Sequence, residues 1–165
     1  MEFLITILLW VLSFFGWGSA DEMPTASAPQ SQHAVTATVV RVVDGDTIVV
    51  RIYGAEETVR YIGIDTPEPY RDGEPACYSL EASLRNEELL AGKEVTLIPD
   101  SEDRDRYDRL LRYVYVDDVF VNEVLVREGY AETLSIPPND TYAARFAELE
   151  RTAKVDEIGL WEACR

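Results

Sequence analysis

Apolar and polar positions change rhythm several times along the chain. Residues 3–17 form a nearly unbroken apolar run, and the stretch after it is rich in Pro, Ser, Ala and Gln with no apolar period. From Val35 the rhythm is that of strands. Segments 35–43 (VTATVVRVV), 47–53 (TIVVRIY) and 57–64 (ETVRYIGI) are β-branched and aromatic, parted by Asp44-Gly45 and Gly54-Ala55, which predicts a three-stranded meander. Residues 78–90 carry Leu80, Leu84, Leu89 and Leu90 near helical spacing and end at Gly92, a helix stop. Two more strands follow at 94–98 and 110–116, separated by a charged loop over 100–109 that is long enough to imply a role. A short helix over 121–128 closes at Gly129. The run Pro137-Pro138-Asn139-Asp140 ends an extended stretch and is expected to cap a last helix with Tyr142, Phe146, Leu149 and Ala153 on one stripe.

Five strands with a helix after the third predict an α+β domain built on a closed, five-stranded OB-like β-barrel with three helices. The expected organisation is an N-terminal segment over 1–20, a flexible linker over 21–34 and a folded domain over 35–165. The apolar run is shorter than the roughly twenty residues that span a bilayer, and it ends in Gly18-Ser19-Ala20, small residues of the kind a signal peptidase reads. Its start carries Glu2 and no basic side chain, so an uncleaved membrane anchor stands as the alternative to a cleaved signal peptide. Both readings place the domain outside the cytoplasm, secreted or anchored. A monomer is expected.

Composition changes the picture in one respect. The formal charge is −16, whereas a chain that neutralises many phosphates usually carries a basic face. Either the arginines gather at one cleft or any nucleic acid is held weakly, with a cation helping. The inventory also excludes chemistries. The only histidine, His33, lies in the linker, and two cysteines cannot make a four-cysteine zinc site. Carboxylate, guanidinium and a hard divalent ion are the tools left.

Those tools sit at two strand ends. Asp44-Gly45-Asp46-Thr47 reads by itself as a type I′ hairpin turn, with Asp-Gly supplying positive φ. Calcium-loop spacing fails there, because Ile48 and Val50 stand where oxygen is needed. Asp65-Thr66-Pro67-Glu68 brings a second acidic group, and Pro67 keeps Thr66 extended. Arg60, five residues before Asp65, faces the opposite side of a regular strand unless Gly63 introduces a bulge. Arg109 opens the fifth strand after Asp105-Arg106-Tyr107-Asp108, where a surface salt bridge is the plainer role.

Taken together, Val43 to Thr47, Arg60 with Asp65-Thr66-Pro67-Glu68, Glu81-Ala82-Ser83, Asp105 to Arg109, Val121-Asn122 with Leu125 to Gly129, and Gly159-Leu160-Trp161 resemble the staphylococcal nuclease-like (thermonuclease) family in order and spacing. The resemblance implies a calcium-dependent phosphodiesterase that cuts DNA and RNA, single strands preferred, leaving 3′-phosphate ends. It implies Asp46 and Asp65 as calcium ligands, with the Thr66 carbonyl. Glu68 would orient or deprotonate water, Arg60 and Arg109 would hold the phosphate, and Tyr107 would support it. A non-catalytic OB-type nucleic-acid-binding module, or a surface-anchored one, is the alternative.

Three departures from the family pattern bear on this. Ser135 replaces an aromatic that stacks on the base. Asp108 stands where glycine is usual and is placed to pair with Arg109. The loop over 69–75 is short and acidic. In an exported chain Cys77 and Cys164 are expected to form a disulfide, two free thiols being the alternative.

Overall fold

The strand rhythm resolves into a barrel because each strand's alternate residues point inward. Ile48, Val50, Val59, Tyr61, Val95, Leu97 and Val114 are buried together at its centre. The computed structural model describes residues 33–69 and 74–165. Barrel strands are β1 (Val35–Val42), β2 (Thr47–Ile52), β3 (Ala55–Tyr61), β5 (Glu94–Ile98) and β6 (Leu110–Val116). They run in the order β3-β2-β1-β5-β6, and β3 pairs in parallel with β6 to close the ring. The α+β OB-like class read from the sequence is therefore the fold observed. No described helix is long and apolar enough to cross a membrane. The expected signal peptide or anchor, and nearly all of the linker, lie outside the described residues.

The third strand departs from expectation. It stops at Tyr61, and Gly63 takes φ 82°, a left-handed conformation that breaks the run. A Cβ on Gly63 would also lie 2.7 Å from the Phe146 ring. The chain then starts β4 (Gly63–Asp65), which leaves the barrel to pair with β8 (Glu132–Leu134) in a two-stranded sheet. A short β7 (Val119–Phe120) folds back on β6 as its antiparallel partner before α2 (Val121–Arg127). Both small strands went unread because two or three residues carry too little period.

Helix α1 (Ser79–Leu90) forms as expected but buries a different face: Ser79, Ala82, Asn86 and Leu90. Of the predicted leucines, Leu80 and Leu84 are exposed, whereas Leu90 is buried and Leu89 packs against the core. The contact needs small residues for close approach and one amide. Asn86 accepts from the Tyr61 hydroxyl (2.9 Å) and donates to the Asp44 carbonyl (2.9 Å). Helix α3 (Ala143–Val155) does pack by its predicted stripe, with Phe146 and Ala153 buried and Tyr142 and Leu149 against the core. Its start has no side-chain cap. Asn139 instead grips Glu102, accepting from its N–H (2.7 Å) and donating to its carbonyl (3.0 Å). A fourth short helix, α4 (Leu160–Ala163), follows the three expected ones. Cys77 and Cys164 are joined in a disulfide with Cα atoms 5.8 Å apart.

Candidate active site

The turn between β1 and β2 makes the first wall. Val43 and Asp44 N–H groups donate to the Thr47 carbonyl, and Asp46 N–H donates to the Asp44 side chain at 3.1 Å. Neither Asp44 nor Gly45 takes positive φ, so this is not a type I′ turn. Gly45 is needed for space. A Cβ there would lie 2.6 Å from Thr66 Oγ1. That approach lets Asp46 Oδ2 accept from Thr66 N (2.7 Å) and Oγ1 (3.0 Å).

Asp46 is buried, as an unpaired carboxylate would not be. Its Oδ1 accepts from Thr47 Oγ1 (3.1 Å) and faces Arg60 Nε at 3.2 Å. Arg60 also donates from Nη1 to the carbonyls of Tyr61 (3.0 Å) and Ile64 (2.8 Å), and from Nη2 to Asp65 Oδ1 (2.6 Å). The expectation that Arg60 and Asp65 face opposite sides fails, because the break at Gly63 turns Asp65 back. Arg60 thus bridges the two aspartates that the sequence kept apart.

Glu68 lies just beyond, exposed at the surface, and its backbone carbonyl accepts from Ala76 N at 3.1 Å. Burial pushes the Asp44 carboxyl up to about 6, and the negative charges of Asp46 and Glu68 add to the rise. Crowded carboxylates of this kind favour a cation.

The second wall is the loop over 100–109. Asp105 organises it: Oδ1 accepts from the N–H groups of Tyr107 (2.9 Å) and Arg109 (3.0 Å), and Oδ2 accepts from Arg109 Nε at 2.7 Å. Burial alone would raise the Asp105 carboxyl; these donors outweigh it and hold the group below its ordinary range. Tyr107 is exposed, with the Arg106 guanidinium 4.7 Å and that of Arg109 5.5 Å from its ring centroid. Asp108 does not pair with Arg109. It takes φ 65°, turns outward, and meets Arg104 at 3.5 Å. Arg104 in turn grips Glu57 of β3 with two nitrogens at 3.0 and 3.1 Å, anchoring the loop to the barrel.

Between the walls lies a cavity of about 520 Å³, within the range of roughly 300–1,000 Å³ usual for ligand sites. Arg60, Arg109 and Tyr107 all line it. Asp46, Asp65, Thr66 and Glu68 are not lining residues, so the predicted groups do not share one hollow; the aspartates join it through Arg60. Arg104 and Arg106 add positive charge against Glu102 and Asp105, so four arginines of this acidic chain meet at one cleft. Sequence reading missed Leu134 and Ile136, which line the cavity while Ser135, between them, does not. Their alternation about Ser135 was the available signal.

Residues 58–163 match the family model described as staphylococcal nuclease homologue. This chain belongs to the staphylococcal nuclease-like family. The match takes in Arg60, Asp65 and the loop of Arg109 but begins after Asp46, which the barrel brings to them. Among curated relatives, endonuclease YncB of Bacillus subtilis (strain 168) is 40% identical over 144 residues, 82% of this chain and 67% of that protein. The SPbeta prophage-derived endonuclease YokF of the same organism is 42% identical over 132 residues, 77% of this chain but only 44% of YokF. The thermonuclease of Staphylococcus intermedius is 38% identical over 125 residues, 75% of this chain and 74% of that protein.

Proposed function

We propose that this member of the family is a calcium-dependent phosphodiesterase that hydrolyses DNA and RNA, single strands preferred, and leaves 3′-phosphate ends. The observation that carries the reading is that Arg60 of β3 and Arg109, at the start of the neighbouring β6, line one cavity with Tyr107. Two guanidinium groups offer forked donors to phosphate oxygens, where negative charge grows as the phosphorus is attacked.

Among the described residues no group of three or more His, Cys, Asp or Glu stands in a metal-holding arrangement. The donor set is nonetheless all oxygen, and the carboxyls of Asp44 and Asp46 stand close in one turn. Both fit a hard cation, which takes about six to eight oxygens and fills the remainder from water and phosphate. Asp46, Asp65 and the Thr66 carbonyl would hold it. When bound, the ion supplies Lewis acidity beside the phosphate.

The chain's own groups do the rest. A Glu68 carboxylate oxygen takes the proton of the attacking water. The water oxygen bonds to phosphorus, the bond from phosphorus to the 5′ oxygen breaks, and that oxygen leaves as a hydroxyl with a proton from solvent, to which Glu68 returns the one it took. The phosphate stays on the 3′ oxygen. Arg60 and Arg109 offset the growing charge, while Tyr107, exposed beside Arg106, supports the phosphate. Leu134 and Ile136 offer an aliphatic wall to a base in place of a stacking ring.

The test is cleavage of single-stranded DNA with calcium and with chelator, followed by analysis of product ends. Calcium-dependent cuts ending in 3′-phosphate are expected; tight binding without cleavage rejects the reading. Export with a cleaved or retained N-terminal segment, and a monomeric state, belong to the same proposal. N-terminal sequencing of the mature protein and its sedimentation test them.

A further inference from the structure

We propose that the Cys77–Cys164 disulfide is a positioning element for Glu68, so that opening it lowers turnover while the barrel stays folded. The inference rests on Glu68 as the group that takes the water proton.

Glu68 belongs to no strand or helix. A contact that holds its backbone is the 3.1 Å bond from Ala76 N to the Glu68 carbonyl. Ala76 adjoins Cys77, and its own carbonyl accepts from Ser79 N at the start of α1 (3.1 Å). On the other side of the bridge, Cys164 ends α4, where its N–H donates to the Leu160 carbonyl (3.0 Å). Leu160 is buried, and its N–H donates to the Gly129 carbonyl at 2.9 Å. One path from Glu68 to fixed structure runs through Ala76, Cys77, the disulfide and α4, beside the links from Ala76 to Ser79 and from Thr66, two residues upstream, to Asp46. Stacking of Tyr78 on Tyr130 at 5.5 Å keeps α1 in place without the bridge, so the loss is local. Both cysteines are exposed, so a small dithiol reaches them. Two electrons and two protons pass from the dithiol, which closes to its own disulfide and leaves two protein thiols.

Turnover is measured for the oxidised full chain, for the dithiol-reduced chain and for the Cys77→Ser/Cys164→Ser double variant, with thermal unfolding recorded in parallel. A misplaced reacting group costs up to about 100-fold, and a fall in kcat of at least about tenfold with KM within about twofold is expected. In the Glu68→Gln background the same opening should lower kcat no further, since nothing is left to position. A purely structural bridge would lower both backgrounds alike, which overturns the proposal, as does an unchanged kcat in the reduced protein. Ala76→Pro removes the N–H that holds Glu68 while keeping the bridge, and is expected to reproduce the fall in kcat; normal turnover in it also overturns the proposal. Amide exchange at Ala76 should quicken on reduction while exchange at Val59 and Val114 does not, whatever the activity. If the oxidised chain cleaves nothing, the functional reading fails and this inference with it; if it cleaves but ignores reduction, this inference alone fails.

Discussion

Arg60 and Arg109 are the same residue type lining one cavity from the neighbouring strands β3 and β6, yet they are held in different ways. Arg60 has a side chain only 12% exposed and takes partners from the β1–β2 turn, from its own strand and from β4. Its position is a property of the whole barrel. Arg109 is 31% exposed and leans on Asp105, four residues upstream. Its position is a property of one loop, which is tied down by Arg104 to Glu57 and by Arg112 to Asp103 (2.6 Å). Function and stability are therefore coupled at the first arginine and separable at the second.

Arg60→Ala is the strongest way to break this comparison. It strands the buried Asp46 carboxylate, so a loss of about 3–5 kcal/mol in urea unfolding is expected together with abolished cleavage. Full stability in that variant would mean that Asp46 finds another cation. Arg109→Ala should lower kcat by roughly 10²–10³-fold, the scale of losing one transition-state donor, while stability moves by about 1 kcal/mol or less. Glu68→Gln should behave likewise, and parallel losses of activity and stability in either would remove the distinction between the walls.

Gly45→Ala forces a Cβ against Thr66 and should cost about 1–3 kcal/mol, read as a lowered unfolding midpoint. An unchanged midpoint would show that the Asp46–Thr66 contact tolerates movement.

The walls should also respond to pH with opposite sign. Folded Asp44 keeps its proton up to about pH 6, whereas the unfolded chain releases it near 3.8. Stability thus falls as pH rises across that interval and stays lower above it. Asn at 44 keeps the acceptor for Asp46 N–H, so Asp44→Asn in chelator should raise Tm at pH 7–8 and not at pH 4. Asp105 is held below 3.8, so its contribution is present above that pH and is lost as pH falls through its folded value. Asp105→Asn should flatten the acid limb of the stability profile. Equal slopes in wild type and both variants would count against the assignment.

The smallest effect is expected at Asp108. Because its carboxylate faces Arg104 and is largely exposed, Asp108→Gly should change kcat by less than about twofold and stability by about 0.5 kcal/mol or less. A large gain in kcat would mean that Asp108 does blunt Arg109.

Much of the barrel was legible because its strands are β-branched and aromatic runs of six or more residues, as in β2 and β6, which are buried over most of their length. The site was legible as residue types: Asp46, Asp65, Arg60, Arg109 and Tyr107 all lie at or beside the cavity. Its connections were not. The pairing of Arg60 with Asp65 depends on a single left-handed residue, Gly63, inside an otherwise regular pattern. The face of α1 was misread because hydrophobicity pointed to Leu80 and Leu84, whereas close packing selected Ala82 and an amide. Asn139 has the right type to cap a helix, and only the nearness of Glu102 decides that it does not.

The chain's own order of residues determined strand and helix content, the closed barrel and the inventory of chemical groups, because local periodicity and turn chemistry act over a few residues. Tertiary structure alone decided which carboxylate meets which arginine and that Leu134 and Ile136 rather than Ser135 face the cavity. Contacts such as Arg60 with Asp46 and Arg104 with Glu57 join residues remote in sequence, and their formation depends on how the closed sheet and its loops pack. A string of side chains carries no such distances until the backbone has folded.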